Sequence, residues 1–228
     1  MKKDDDRLFD LISPIISENG LELGGASFFG PKEFQAYWKR SGNRIDIRIS
    51  DYLIDAPDEV IVDFSKTVIS TIKKKRPNYG KTYLEWVMSD EYINSKRKIY
   101  LRRSRNLTGT TVGNERDIIA SLDRLLDSGL LDPKSIGNSF FSWTKIPNKR
   151  KLGFCSPMMR VVGISCVLDD ISVPEYVLDY VVYHESLHLE QGYRPGQRAH
   201  SKEFRDDERK YPKYEEAEKY LKSLADKR

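Results

Sequence analysis

Residues 172–193 read SVPEYVLDYVVYHESLHLEQGY, and this stretch decides what kind of protein the chain can be. A proline stands near its start and a glycine at position 192, and these residue types favour the first turn and the end of a helix. The residues between them are mostly apolar and include no further proline or glycine. The sequence therefore predicts one long and mostly buried helix from about Val173 to Glu190.

Two of the chain's three histidines lie in this helix, four residues apart. Residues at positions i and i+4 project from the same face, so the imidazoles of His184 and His188 can bind one metal ion. Glu185 follows the first histidine, and in an H-E-x-x-H pattern this carboxylate can accept a proton from zinc-bound water. The alternative is a helix with two incidental histidines. Because histidine is rare here, and a buried Glu185 is costly without a positive partner, we expect a zinc site.

The third ligand of this site has two candidates. His200, the remaining histidine, follows the glycine-containing loop GYRPGQ, which can turn the chain back towards the first two rings. Glu203 is the rival, because some zinc sites take a glutamate from a second helix. The helix dipole also favours an acidic residue in the first turn, which explains Glu203 without a metal. We therefore expect zinc to be bound by His184, His188 and His200.

The elements around this helix combine strands and helices. Alternating isoleucines predict a strand in RIDIRIS, and SFFSWTKI and RVVGISCVL also have the composition of strands. A short strand is expected near Lys98–Leu101. Helices are predicted to begin after Pro57 and at residue 118, and two charged helices near residues 202–210 and 213–225 follow the histidines. These elements predict an α+β fold.

The two halves of the chain show a loose similarity. Residues 48–70 (RISDYLIDAPDEVIVDFSKTVIS) and 163–185 (GISCVLDDISVPEYVLDYVVYHE) both read as strand, acidic loop, proline and helix. A duplication would place Val68 near the His184 position and Ile72 near the His188 position. Residues 1–110 would then be a degenerate, metal-free copy and residues 111–228 the metal-binding domain. The alternative is that strand, loop and capped helix form a common motif.

Residues 139–216 resemble the SprT-like and YgjP-like zinc metallopeptidases of the zincin group. The resemblance is carried by I-S-x-x-L in a strand, a V-P-E helix start, L-D-Y-V-V-Y-H-E-x-x-H, H-S-K-E-F-R and Y-P-x-Y-x-x-A-E. It implies a zincin-like fold, with a small antiparallel sheet packed on the metal-binding helix and a peptide bound along a sheet edge. It also implies zinc on His184, His188 and His200, with Glu185 as general base. Ser186 departs from the family, which usually has an apolar residue there.

Composition limits the class of protein. Apolar residues make up 39% and aromatic residues 11%, which is typical of a folded globular chain. The start MKKDDDRLFD is too charged for a signal peptide, and no apolar run is long enough to cross a membrane. Cys155 and Cys166 form no C-x-x-C pair, which excludes a zinc ribbon. We expect a reduced, cytoplasmic protein.

Four basic clusters, KKKR (73–76), KRK (96–98), RRSR (102–105) and NKRK (148–151), would suit DNA phosphates. Tyr79, Tyr83, Trp86, Tyr92 and Tyr100 interleave with the first three clusters as base-stacking residues would. Solvated loops and core aromatics are the alternative.

The expected activity is zinc-dependent hydrolysis of peptide bonds in protein substrates, with Glu185 as general base. The rival is a non-catalytic nucleic-acid-binding module with structural zinc. An open fourth coordination position favours the enzyme, and a fourth protein ligand favours the rival.

Overall fold

The structure is a computed structural model that describes residues 2–226 of the 228-residue chain. It divides the chain into two compact units, one ending at Arg103 and the other beginning at Ser104. Within the described residues each unit has one three-stranded sheet and several helices, which confirms the α+β class. The division falls earlier in the chain than the boundary expected between residues 110 and 111. None of the described helices has the length and apolar character needed to cross a membrane.

The amino-terminal unit is built around a mixed sheet. Its elements are α1 (Lys2–Glu18), β1 (Glu22–Phe29), β2 (Ala36–Ser41), β3 (Arg44–Ser50), α2 (Asp58–Ile72), α3 (Lys81–Val87) and α4 (Asp90–Arg103). The central strand β3 runs parallel to β1 and antiparallel to β2. Ile45, Ile47 and Ile49 are buried and alternate with exposed polar residues, so the strand predicted at RIDIRIS is confirmed.

The carboxy-terminal unit repeats this strand arrangement. Its elements are α5 (Ile118–Asp127), α6 (Pro133–Ile136), β4 (Phe140–Trp143), β5 (Gly153–Ser156), β6 (Val161–Ile164), α7 (Glu175–Gln191), α8 (Lys202–Glu208) and α9 (Tyr214–Asp226). The central strand β6 runs parallel to β4 and antiparallel to β5. β5 therefore lies at an edge of the sheet and has one side free of strand pairing.

The predicted long helix is α7, and it forms the centre of the carboxy-terminal unit. It packs against α5, α8, α9 and β5, and most of its side chains are buried. Each large aliphatic or aromatic side chain buried in this way contributes about 1.5–3 kcal/mol to stability. Asp179 is buried as well, and its carboxylate accepts hydrogen bonds from Arg124 Nε at 2.9 Å and Nη2 at 2.6 Å. Packing and this ion pair thus hold α7, and with it His184 and His188, in a fixed position.

The structure corrects two predictions of local structure. The sheet next to α7 is mixed, whereas the family resemblance implied an antiparallel sheet. The strand expected at residues 98–101 lies inside α4, which begins with Asp90 and Glu91 and ends with Arg102 and Arg103. Acidic residues in the first turn and basic residues in the last turn match the helix dipole and stabilise this helix. The apolar residues of that short run therefore do not decide its structure.

The two units also resemble each other after the central strand: a long helix is the next α-helix in the chain, α2 after β3 and α7 after β6. In each unit a proline directly precedes a long helix, Pro57 before α2 and Pro174 before α7. Counted from these prolines, Thr67 corresponds to His184 and Thr71 to His188. This register differs by one residue from the Val68 and Ile72 given by the sequence comparison.

Candidate metal centre

Two of the histidines lie on α7, and the third lies in the loop that leads from α7 to α8. His184 and His188 lie one turn apart on α7, which ends at Gly192 with a positive φ of 69°. Gly196 also has a positive φ, 75°, and such backbone conformations are open to glycine at little cost. The loop returns the chain to α8, where the Ser201 side chain accepts a hydrogen bond from the Phe204 N–H at 3.2 Å. His200 precedes this cap directly, so the cap fixes the third ring.

The three imidazoles converge as a metal site requires. One nitrogen from each of His184, His188 and His200 lies within 4.8 Å of the others. The Nε2 atoms of His188 and His200 are 3.1 Å apart. Two nitrogens that each lie about 2.0–2.1 Å from a tetrahedral zinc ion are about 3.3 Å apart. The His188 and His200 nitrogens therefore have about the spacing of two zinc ligands, and the three rings together could hold a metal ion.

The Phe204 ring packs against all three imidazole rings. It is fully buried, and its ring centroid lies 4.4 Å from His188, 4.9 Å from His200 and 5.1 Å from His184. The His188 ring is stacked on it with an interplanar angle of 23°. Phe204 thus restricts the orientation of every candidate ligand.

A chain of hydrogen bonds orients His184. Its Nδ1 lies 2.5 Å from Oε1 of Glu208, the last residue of α8. The Tyr180 hydroxyl lies 2.9 Å from the same oxygen and 2.9 Å from Oε1 of Glu218. A carboxylate on one ring nitrogen fixes the tautomer and leaves Nε2 as the metal ligand. Glu208 lies outside the H-E-x-x-H pattern, and the structure brings its carboxylate to His184.

The surroundings set the charge of the histidines. Burial, together with the neighbouring His184 and His200, lowers the pKa of His188 to about 4. Burial and His184 also lower the pKa of His200. Burial opposes the charging of His184, but the hydrogen bond to Glu208 and the nearby carboxylates raise its pKa overall. His188 and His200 are therefore held in the neutral form that binds metal.

Glu185 lies on the same helix, beside the cluster but outside it. It is 7% exposed, and burial raises its pKa to about 7 against the opposing effects of His184 and Lys151. β5 passes close by: a Cβ atom on Gly153 would lie 2.5 Å from Glu185 Oε1. The glycine leaves the space that this carboxylate occupies. A carboxyl group poised near neutral pH suits general acid–base chemistry.

Glu203 lies apart from the metal ligands. Its side chain is 81% exposed, and its Oε2 is 3.7 Å from Arg194 Nη1. In the described part of the chain, the metal-binding group that includes His184 and His188 takes His200 as its third member. The structure thus favours His200 over Glu203.

A cavity of about 600 Å³ opens over the three histidines and Glu185. Residues 149–155, which include most of β5, form one wall, and α9 forms another through Glu218, Leu221 and Lys222. The centre is therefore accessible to a molecule much larger than water, next to the free edge of a strand.

The basic clusters of the sequence have different positions. Tyr83, Tyr92 and Tyr100 are buried core residues, so they are not available to stack on bases. In the same unit Lys96 Nζ pairs with Asp55 at 2.5 Å. The cluster at residues 148–151 instead borders the cavity of the metal centre.

No protein-family model matches the chain, and neither the curated proteins nor the solved structures include a significant match to it.

Proposed function

We propose that the protein is a zinc-dependent metallopeptidase with its active centre in the carboxy-terminal unit. The observation that carries the proposal is the convergence of His184, His188 and His200 beside the buried carboxyl group of Glu185, at the base of an open cavity. Three protein ligands leave a coordination position open, which is typical of catalytic zinc, whereas structural zinc has four. Within residues 2–226 the cluster has three members, which favours an enzyme over a binding module with structural zinc.

Each residue has a distinct role in this proposal. His184, His188 and His200 bind the ion, and Glu208 holds His184 in the required tautomer. Zinc would supply Lewis acidity for the scissile carbonyl and would lower the pKa of an attacking water. Glu185 accepts the proton of that water and then donates it to the leaving amine.

The free edge of β5 supports a peptide as the substrate. β5 pairs with β6 on one side only, and Gly153, Phe154 and Cys155 line the cavity. An extended peptide can pair with such an edge through main-chain hydrogen bonds, which orients it without fixing its sequence. The peptide would then pass over the histidines with a carbonyl group near Glu185.

Glu185→Gln tests the proposed activity. Glutamine keeps the size of the side chain but cannot accept the proton, so zinc content should stay near one per chain while peptide hydrolysis falls by about 10²–10⁴. The control is Glu190→Gln on the same helix, whose Oε1 accepts the Asp132 N–H at 2.7 Å and which lies outside the cavity lining. Zinc-loaded wild-type protein that cleaves no unfolded or DNA-bound protein, with or without DNA, would rule out the peptidase.

We also propose that the amino-terminal unit is a degenerate, metal-free copy of the carboxy-terminal unit. The two sheets have the same strand order and the same pairing directions. The Thr67 hydroxyl donates to the Asn78 carbonyl at 2.6 Å, and the Thr71 hydroxyl donates to the Thr67 carbonyl at 3.0 Å. Residues at the two histidine positions thus serve local structure in this unit.

A further inference from the structure

A second cavity of about 230 Å³ lies next to the cavity over the candidate metal centre. Pro157, His188 and Ala199 line both of them, so the two meet at the candidate zinc ligand His188. We call the two cavities together the substrate groove. A peptide in this groove extends to both sides of the histidines.

Basic side chains outnumber acidic ones along the substrate groove. The acidic residues are fewer: Glu185 is buried, Glu203 pairs with Arg194 at 3.7 Å, and Glu218 pairs with Lys222 at 3.7 Å. The basic residues that line the groove are Lys149, Arg150, Lys151, Arg194, Arg198 and Lys222. Because Glu203 and Glu218 balance Arg194 and Lys222, the excess positive charge lies at residues 149–151 in the first cavity and at Arg198 in the second.

This charge is a local property of the groove. The carboxy-terminal unit, residues 104–228, contains 20 lysines and arginines against 19 aspartates and glutamates. Because the unit as a whole is nearly neutral, the positive charge of the groove does not follow from an overall excess of basic residues. The concentration of positive charge at the groove therefore points to its ligand.

The segment that carries three of these cations has a fixed backbone. The Asn148 side chain accepts hydrogen bonds from the N–H groups of Arg150 and Lys151, both at 2.9 Å. Ser165, which is buried, accepts the Asn148 N–H at 3.2 Å and donates to its carbonyl at 3.1 Å. Lys151 also lies 5.4 Å from the centre of the Phe154 ring on β5. The cations are thus held in place at the start of the edge strand.

We propose that the substrate groove selects acidic polypeptide segments, with aspartate or glutamate residues on either side of the cleaved bond. The inference rests on the peptidase function proposed above and names its substrate class. A peptide that pairs with β5 places its side chains beside residues 149–151, where carboxylates gain charge-assisted hydrogen bonds. A nucleic acid would match the charge of the groove but would gain no strand pairing from the β5 edge, so we favour a peptide.

Binding measurements test this selection without requiring turnover. The protein is the zinc-loaded full chain with Glu185→Gln, and the probes are three labelled peptides that are identical except for Glu, Gln or Lys at the flanking positions. We expect the Glu peptide to bind at least about 10-fold more tightly than the Lys peptide at low salt, because several exposed ion pairs act together. The difference should shrink as salt is raised towards about 1 M.

Charge reversal locates the effect in the groove. Adding Arg150→Glu and Lys151→Glu should abolish or invert the preference for the Glu peptide, with zinc content as the check on folding. The matched control is Lys134→Glu with Lys145→Glu, a change of equal charge at residues that line neither cavity, and it should keep the preference.

Three outcomes would overturn the inference. They are equal binding of the three peptides, a preference that survives reversal in the groove, or tight binding of a single-stranded oligonucleotide where no peptide binds. Hydrolysis by the wild type separates the two proposals. Zinc-dependent cleavage without preference for acidic flanks refutes only the selection, whereas acidic-peptide binding without any cleavage refutes only the peptidase.

Discussion

At the scale of single residues, the carboxylate of Glu208 on α8 orients the candidate ligand His184 on α7. His184, His188 and Glu185 were predictable because one helical turn relates them, and His200 because no other histidine remained. Glu208 lies on a different helix, and its sequence neighbours Asp206 and Asp207 look the same as candidates. Only the packing of α8 on α7 shows which acid reaches Nδ1 of His184.

Glu208→Ala should lower zinc affinity by about 10- to 100-fold, because His184 loses the carboxylate that fixes its tautomer and its basicity. Competition with a zinc-binding dye measures the affinity. Asp206→Ala is the control, since Asp206 is an exposed neighbour that pairs with Arg209 at 3.6 Å. Equal affinity in the two variants would show that Glu208 has no part in the site.

Gly153→Ala should reduce hydrolysis while zinc content remains near one per chain. The added Cβ would lie 2.5 Å from Glu185 Oε1, so the general base must move. A misplacement of about 1 Å in a catalytic group can cost about 10²-fold in rate. Gly137→Ala provides the control, because a Cβ there meets nothing closer than 3.6 Å. Full activity of Gly153→Ala would place the reacting group elsewhere.

At the scale of elements, the sequence predicted the helices and strands whose own residues carry a recognisable apolar pattern. β3 and α5 were predictable because each carries a clear apolar period, and α7 because its long apolar run stands between a proline and a glycine. β1, β2 and β5 were not predicted. β1 contains two adjacent glycines, β2 is almost fully exposed, and β5 is only four residues long. Their structure comes from pairing with a central strand, which no local pattern records.

Ser201 caps the first turn of α8 and directly follows the candidate ligand His200. Ser201→Ala should cost about 0.5–2 kcal/mol of stability through loss of the cap, and should also weaken zinc binding, because His200 precedes it. Asp117→Ala removes the corresponding cap of α5, where the side chain accepts the Ile119 N–H at 2.9 Å, away from the histidines. It should cost similar stability and leave zinc affinity unchanged. Denaturant unfolding and zinc titration give the two readouts, and equal zinc affinity in both variants would contradict the role of the α8 cap.

At the scale of the whole molecule, both units have a three-stranded sheet with the same pairing directions, but the histidine cluster lies in the carboxy-terminal unit. Counting from Pro57 and Pro174 places the threonines of α2 at the positions of the α7 histidines, a register that the sequence comparison missed by one residue. The mixed character of both sheets was not predictable either, because the pairing direction depends on contacts between distant segments. The metal centre needs α7, α8 and the loop between them, and α2 has threonines where α7 has histidines.

We therefore expect zinc to stabilise the backbone of the carboxy-terminal unit and to leave the amino-terminal unit almost unchanged. Hydrogen exchange followed by mass spectrometry should show amide exchange slowed by zinc in residues 175–208, and much less in α2, since bound metal stabilises the segments that hold it. The chelated protein serves as the reference. Comparable protection of α2 would contradict a metal-free amino-terminal unit.

X-ray absorption at the zinc edge of the loaded protein can count the imidazoles that bind the proposed zinc ion. We expect one zinc per chain with three imidazole nitrogens at about 2.0–2.1 Å and no sulfur ligand. His200→Ala should reduce the imidazole number to two, whereas Glu203→Ala should leave it at three. A sulfur ligand at about 2.3 Å, or an imidazole number that falls with Glu203→Ala and not with His200→Ala, would contradict the account.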